Sequence, residues 1–282
     1  MNPLRLSVVG DDALELHAPS GQLLLRYVHR PAVPLTDAPR PYAHPVCTLA
    51  GEVLTNFRPS DHSWHQGLNF TIDSLSGWNF WGGGTYRRGD GYKLRGDHGE
   101  QRHVEWLSRS ADLIAHRLEW VAGGEVLLRE ERRLTPRIED ERSWSLRWQA
   151  RLENVSGRAL SCANYHSGEG LVGSHYTGLQ FRGARDLLDD HGDATVGIFA
   201  AGGLAGEKEV HGAPAEWMEW RGQKDTTLRR VTIRFANAGG PLHWFVRRHN
   251  PLAAFPFQFA RNLDLAPGAA FEVDHTLTFT DA

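Results

Sequence analysis

Apolar and polar residues alternate strictly along several parts of the chain. In residues 143–153, SWSLRWQARLE, every second position from Trp144 onward is apolar and the positions between are polar. The same period of two recurs over residues 231–235 and 271–280. Because successive side chains of a strand point to opposite faces, this pattern predicts β-strands with one buried face.

Glycine and proline divide these strand-like segments from one another. Gly123-Gly124 separates the strand-like segments 118–121 and 126–128, which predicts a hairpin. No segment has a convincing helical period, and only residues 185–190 are expected to form a short helical turn. The proline-rich stretch of residues 31–45 is predicted to be an ordered loop rather than a strand.

These patterns together predict an all-β fold, an antiparallel β-sandwich in which residues 1–282 form a single domain. The 10 tryptophans fit this architecture because broad rings can fill the space between two packed sheets.

Composition narrows the class of protein. The net charge of −3 argues against an electrostatic nucleic-acid binder, and no apolar run approaches the ~18 residues of a membrane-spanning helix. Two cysteines offer neither a disulfide framework nor a four-cysteine zinc site. The first residues lack the pattern of a secretory signal, so we expect a cytoplasmic protein that binds neither nucleic acid nor membrane.

The 15 histidines are the most unusual feature, and several lie in the polar segment of residues 40–86. His44, His62 and His65 are candidate catalytic residues there, and Asp61 could orient one of the rings. His62 and His65 would share a face only in a helix or a tight turn. If the three histidines converged, they would be the ligands of a divalent metal; otherwise they are packing residues bonded to the main chain.

Two later segments add further candidates. Residues 164–182 supply Glu169 as a catalytic carboxylate and Tyr176 and Arg182 as binding residues. Residues 242–250 place Arg247 on a largely apolar strand, where a guanidinium must reach water, an acid or a polar ligand. The charged run 129–133 is predicted to be a solvated strand face, with Glu130 as a further candidate carboxylate on the face shared with Leu128 and Arg132.

Several well-known chemical motifs are missing from the sequence. It contains no Gly-x-Ser-x-Gly elbow, no His-Glu-x-x-His pattern and no Walker phosphate loop. Gly82-Gly83-Gly84 follows aromatic residues and is predicted to be a turn. We therefore expect no nucleotide cofactor.

Short motifs resemble a large bacterial family of unknown function, often called PmoA-like or "methane oxygenase PmoA". They are Pro41-Tyr42-x-His44-Pro45, Asp61-His62-x-x-His65-x-Gly67, Asn79-Phe80-Trp81-Gly82, the segment from Tyr176 to Gly183, and Trp244-Phe245-Val246-Arg247. The resemblance covers roughly residues 25–280 and implies a galactose-mutarotase-like β-supersandwich, a fold that serves aldose epimerases and other carbohydrate enzymes. The sequence contains no spanning helix for a membrane methane monooxygenase, and the His–Glu pair of known mutarotases is not identified in it.

The favoured hypothesis is an enzyme that acts on a sugar or keto-sugar by epimerisation, elimination or hydrolysis. Histidines would exchange protons with the substrate, Tyr42, Trp81 and Tyr176 would bind it, and Arg182 and Arg247 would hold its oxygens. A non-catalytic sugar-binding domain and a metal-dependent oxidoreductase are the alternatives. The substrate, the metal and the oligomeric state are left open.

Overall fold

In a computed structural model, which describes residues 4–164 and 170–282, the chain is built almost entirely of strands. Those of the first half are β1 (Arg5–Val9), β2 (Ala13–His17), β3 (Leu23–Val28), β4 (Tyr42–Val46), β5 (Leu68–Thr71), β6 (Thr85–Arg87), β7 (Gly91–Lys93), β8 (Glu100–Arg109), β9 (Ile114–Ala122), β10 (Glu125–Ile138) and β11 (Ser143–Asn154). Those of the second half are β12 (Leu160–Cys162), β13 (Gly178–Arg182), β14 (Val196–Ala200), β15 (Leu204–Ala205), β16 (Pro214–Ala215), β17 (Trp217–Gln223), β18 (Arg230–Asn237), β19 (Leu242–His243), β20 (Phe245–Arg247), β21 (Leu252–Phe255), β22 (Leu263–Leu265) and β23 (Ala270–Asp281).

Helical structure in the described residues is limited to one short α-helix and three 3-10 turns. The helix α1 covers Glu207–Val210, and the turns cover Leu35–Asp37, Arg185–Leu187 and Ala201–Gly203. The turn at Arg185 confirms the short helical turn predicted from the sequence. No helix in the described part of the chain is long and apolar enough to cross a bilayer.

Two large sheets form the body of the molecule. Within the described residues the first has the order β1-β2-β3-β4-β5-β13-β21-β20, and the second has the order β15-β14-β17-β18-β23-β11-β10-β9-β8. Neighbouring strands in both sheets pair antiparallel. The all-β, antiparallel architecture predicted from the alternating patterns is therefore confirmed.

The core lies between the inner faces of these sheets, where large aromatic rings meet. Phe181 of β13 packs 5.9 Å from Trp220 of β17, and Phe255 of β21 packs 6.0 Å from Phe235 of β18. Trp144, from the first alternating segment, is fully buried against Phe279. Tryptophan thus fills the space between the sheets, as the sequence predicts.

The predicted hairpin is also present, since β9 and β10 pair antiparallel across Gly123-Gly124. The proline-rich segment differs from the prediction, because its last part is strand β4. Pro45 lies where the β3–β4 register shifts between Leu25 and Tyr27, so the ladder does not need the N–H that proline lacks.

The prediction for the charged run 129–133 is correct for only one of its two faces. Arg129 and Arg133 are exposed, but Glu130 and Arg132 have fully buried side chains and form an ion pair in the core. Glu130 does share its face with Leu128, as predicted, but it lies between the sheets rather than at a surface cavity.

The outer face of the first sheet, which points away from the second sheet, is where polar residues collect. Gln180 and Arg182 alternate with the core residue Phe181 along β13, and both are buried even so. Long loops cover them, and the buried Arg40 braces these loops to the sheet by donating to the Asn69 side chain at 2.6 Å and to the Trp64 carbonyl at 2.7 Å. This covered outer face carries the candidate site.

Candidate functional site

A cavity of about 900 Å³ opens between these loops and strands β20 and β21. Its volume lies in the range of small-molecule sites, which is about 300–1,000 Å³. It is lined by aromatic, acidic, basic and amide side chains that come from distant parts of the chain. They include His62, Trp64, His65, Asp73, Asn79, Trp81, Tyr176, Phe245 and Arg247.

Two tight turns bring His62 and His65 to the same wall of the cavity. The His62 N–H donates to the Pro59 carbonyl at 2.9 Å, and the His65 N–H donates to the His62 carbonyl at 3.0 Å. The two ring centroids lie 5.1 Å apart. Residues three positions apart share a face only in a helix or a tight turn. The structure has such a turn, so His62 and His65 face the same side.

His62 is oriented by a neighbouring carboxylate. Its Nδ1 lies 2.8 Å from Oδ2 of Asp61. Burial would raise the pKa of Asp61, but the contact with His62, a main-chain N–H group and the positive charge of Arg182 together outweigh it, and the pKa lies below its ordinary value. Asp61 therefore stays ionised and holds the proton of His62 on Nδ1.

His65 lies deeper, with only 3% of its surface exposed. Its ring meets Trp81 edge-on at 5.6 Å, and its Nδ1 lies 3.4 Å from Nη1 of Arg182. Burial, followed by the positive charge of Arg182, lowers the pKa of His65 well below its ordinary value. The ring is therefore neutral at physiological pH.

Asp73 is the acidic group with the most unusual environment in the cavity. Burial raises its pKa from 3.8 to about 7, even though main-chain N–H groups of Asp73 and Ser74 hydrogen-bond the carboxylate. Its Oδ1 is buried without a partner among the described residues. A carboxyl group that titrates near neutral pH and faces a cavity is a candidate general acid or base.

Aromatic side chains form the apolar part of the lining. Trp81 packs 4.9 Å from Tyr176, which packs 5.8 Å from Phe245. Trp81 is presented by a turn in which Oδ1 of Asn79 accepts the N–H groups of Trp81 and Gly82, each at 2.8 Å.

The glycine run 82–84 is a turn, as predicted, and it makes room for a further indole. A Cβ on Gly83 would lie 2.7 Å from the ring of Trp64, and Gly83 also has a φ of +68°. Both observations explain why glycine stands at this position.

Arg247 lies at the rim, with its guanidinium 4.7 Å above the Phe245 ring. Its Nη1 lies 3.0 Å from Nδ1 of His211 and 3.6 Å from Glu207. Nη2 lies 3.4 Å from the Gly173 carbonyl. The cation is held in place and keeps part of its surface at the cavity, since Arg247 also lines it.

The structure brings together some of the residues predicted from the sequence and not others. His62, His65, Trp81, Tyr176 and Arg247 line the cavity. Arg182 does not line it but lies behind His65. Glu169, predicted to be a catalytic carboxylate, lies outside the described residues.

His44 and Tyr42 are placed away from the cavity, both stacked on Phe57, at 5.3 and 5.0 Å. The Nδ1 of His44 is bonded to Thr55, and burial lowers the pKa of His44 to about 4. Both side chains lie on strand β4, whose outer face is covered at this end by Phe57, which explains why they do not reach the other histidines. In the part of the chain that the structure describes, no group of three or more histidine, cysteine or acidic residues is arranged to hold a metal, so the predicted three-histidine set is not assembled.

Sequence patterns missed Asp73, the acidic group with the strongest perturbation at the site. The only sequence signal is its position just after the apolar strand β5, in NFTID. Its neighbours include Cys162 and Tyr176, which lie far along the chain, and local patterns do not report such contacts.

Comparison with family models finds one match, a family of unknown function (DUF6807), over residues 17–282. The resemblance to a family of unknown function is thereby confirmed, and the PmoA-like name stays a prediction. Comparison with curated proteins finds no match.

Among solved structures, a polysaccharide lyase matches at 10% identity with a TM-score of 0.39; the match covers 99% of this chain, which spans only 33% of the lyase chain. A GalM/aldose epimerase homologue from C. elegans matches at 9% identity with a TM-score of 0.38 and covers all of both chains. The lyase and epimerase activities in these names are those of the two matched proteins.

Proposed function

Since the chain belongs to a family of unknown function, DUF6807, its activity has to be inferred from its own residues, and we propose that the cavity binds a sugar or keto-sugar and transfers a proton on it. The observation that carries this proposal is the carboxyl group of Asp73, which lines the cavity and has a pKa of about 7. A group with this pKa is present in both protonation states at neutral pH, as acid–base catalysis requires.

The lining supports a polyhydroxylated ligand. Sugar rings have apolar C–H faces that pack on aromatic rings, and Trp81 and Tyr176 offer such surfaces. Sugar hydroxyls need donors and acceptors, which Arg247 and Asp73 provide in the same cavity. The combination of aromatic surface with a few convergent polar groups is typical of small-molecule sites.

The histidine wall supplies a second group that can take up a proton. Because Asp61 holds the proton of His62 on Nδ1, the Nε2 of His62 carries the free lone pair. Asp73 and His62 would thus provide two proton-exchanging groups for one substrate. We assign the acid–base role to Asp73, which lines the cavity and has a pKa of about 7.

The test uses the full chain and a panel of aldoses, ketoses and uronic acids. Binding is measured by calorimetry, and catalysis is measured by NMR in D2O as exchange of substrate C–H hydrogens. We expect at least one member to bind and exchange, with a rate that changes near pH 7. Asp73→Asn should lower the exchange rate by about 10²–10⁴-fold while binding persists.

Asp112→Asn serves as the matched control, because Asp112 is an exposed aspartate in the turn before β9. It should leave both binding and exchange unchanged. Binding without exchange in the wild type would mean a non-catalytic sugar-binding domain. Exchange that survives in Asp73→Asn would refute the role of Asp73.

A further inference from the structure

His65 and Arg182 form a contact that fixes where the imidazole proton lies. Nη1 of Arg182 points to Nδ1 of His65 at 3.4 Å. A guanidinium has only donors, so the nitrogen it meets must accept. Nδ1 of His65 is therefore unprotonated, and in the neutral ring the proton is on Nε2.

The Nε2 of His65 is the nitrogen that a ligand can reach. His65 lines the cavity whereas Arg182 does not, so the ring separates the guanidinium from the cavity. Within the described residues Nε2 has no hydrogen-bond partner, and the two nitrogens of an imidazole point in diverging directions. The cavity therefore meets an N–H donor at this point.

Charge behind the ring strengthens this arrangement. Arg182 is 4% exposed, and the Asp61 carboxylate acts on its charge without forming an ion pair with it. Arg40 is also buried nearby, and both positive charges oppose protonation of His65. A fixed cation beyond Nδ1 also polarises the ring, which makes the Nε2–H a better donor to a negatively charged oxygen.

His62 has the opposite arrangement on the same wall. Its proton lies on Nδ1 toward Asp61, and its Nε2 accepts. Two rings 5.1 Å apart therefore present one donor and one acceptor to the cavity. The charged neighbour of each ring decides which nitrogen carries the proton. This neighbour is Arg182 for His65 and Asp61 for His62.

We propose that Arg182 is a positioning residue that holds His65 as a neutral Nε2–H donor, and that this donor binds the carbonyl oxygen of an α-hydroxy carbonyl substrate. This deepens the proposed function and rests on it. In the step, the Asp73 carboxylate takes the proton from the carbon next to the carbonyl. The C–H electron pair forms a carbon–carbon double bond, and the carbonyl π pair moves to the oxygen, which becomes an enolate oxyanion.

The His65 Nε2–H stabilises that oxyanion, and return of the proton from Asp73 to carbon completes a balanced step with no change of oxidation state. A neutral imidazole suits this role because it donates a hydrogen bond without transferring its proton to the enolate. The substrate class is thus an open-chain aldose, a ketose or a smaller α-hydroxy ketone.

The test observes the tautomer directly. The full chain, labelled with ¹⁵N in histidine, is studied at pH 8 by two-bond ¹H–¹⁵N correlation, and His65→Gln and His62→Gln identify the two rings. We expect the pattern of a neutral Nε2–H ring for His65 and of a neutral Nδ1–H ring for His62. A proton on Nδ1 of His65 in the wild type overturns the proposal, whatever the variants do.

Variants of Arg182 show whether this residue sets the tautomer. Arg182→Met should leave His65 as a mixture of tautomers, Arg182→Lys should keep the Nε2–H form, and the His62 signals should not change in either. Arg185→Met is the matched control, because Arg185 is exposed three residues later. An unchanged His65 pattern in a folded Arg182→Met protein refutes the positioning role.

The substrate class is tested with dihydroxyacetone and glycerol, which differ only by the carbonyl group. Dihydroxyacetone should shift the His65 Nε2–H signal, and glycerol should not. Equal responses to both, or none at saturating concentration, overturn the carbonyl assignment. The tautomer needs no ligand, so its failure is distinguishable from failure of the proposed sugar chemistry, which the Asp73 exchange assay reports.

Discussion

The carboxyl group of Asp73 is a cost to stability at neutral pH. Its pKa is raised to about 7 in the folded protein, against an ordinary value of 3.8, because burial disfavours the charged form. Between these two values the folded state binds more protons than the unfolded state. Stability from this group is therefore lost as the pH rises from about 4 to about 7.

Asp73→Asn should consequently stabilise the protein at high pH, since the amide resembles the protonated carboxyl. The difference between the two pKa values corresponds to at most about 4 kcal/mol. We expect a gain of that order or less at pH 8 and little change at pH 4, measured by urea unfolding. Destabilisation at pH 8 would show that the native state depends on the ionised carboxylate.

Strand β10 shows how one element carries two different kinds of ion pair. On its core face Arg132 binds Glu130, with Nε 2.6 Å from Oε1, and Glu130 also accepts from Trp120 at 2.8 Å. On its outer face Arg133 binds Glu131 at 2.6 Å in contact with solvent. The spacing and residue types are the same, so only burial differs.

Glu130→Gln should therefore destabilise the protein far more than Glu131→Gln. The first leaves a guanidinium buried without its counter-charge, which costs about 3–5 kcal/mol, whereas an exposed pair contributes about 0–1 kcal/mol. Urea unfolding at pH 7 compares the two variants. Replacing both partners, as Glu130→Leu with Arg132→Met, should recover most of the loss; equal effects of the two single variants would contradict this account.

The β-strands were easier to predict from the sequence than the residues of the candidate site. Strands β11 and β23 have a period of two because one face meets the core, and this period is visible in the local sequence. The burial of Glu130 and Arg132 is not visible in the local sequence, because a run of acidic and basic residues looks the same in a solvent-exposed strand. The environment of Asp73 depends on the loops that close the cavity, and those contacts arise only in the folded chain.

At the scale of the whole molecule, buried or half-buried neutral histidines occur in both sheets and in the covering loops. Burial is the main cause that lowers the pKa in each of them. They are His29, His44 and His103, with a pKa of about 4, His275, with a pKa of about 3, and His65, His116 and His211, with lowered pKa values. Several of them meet where β8 pairs with β9, and Nδ1 of His103 lies 3.0 Å from Nδ1 of His116 there.

Because the pKa values of these histidines are lowered in the folded protein, we expect acid to destabilise it. Between about pH 6.5 and 4 the unfolded chain binds protons that the folded protein excludes, so stability falls as the pH falls through this window. Asp73 acts in the opposite direction, but it is one group against seven. Urea unfolding at intervals from pH 7 to pH 4 should show a loss of several kcal/mol before most carboxylates are protonated.

One variant links this loss to a single ring. His275 is buried, and both of its ring nitrogens lack a partner among the described residues. His275→Leu should therefore flatten the pH dependence of the unfolding free energy and add stability at pH 5. The exposed His191 provides the control, because His191→Leu should leave the profile unchanged. A wild-type profile that is flat from pH 7 to pH 4 would mean that water reaches these rings and that they titrate as in the unfolded chain.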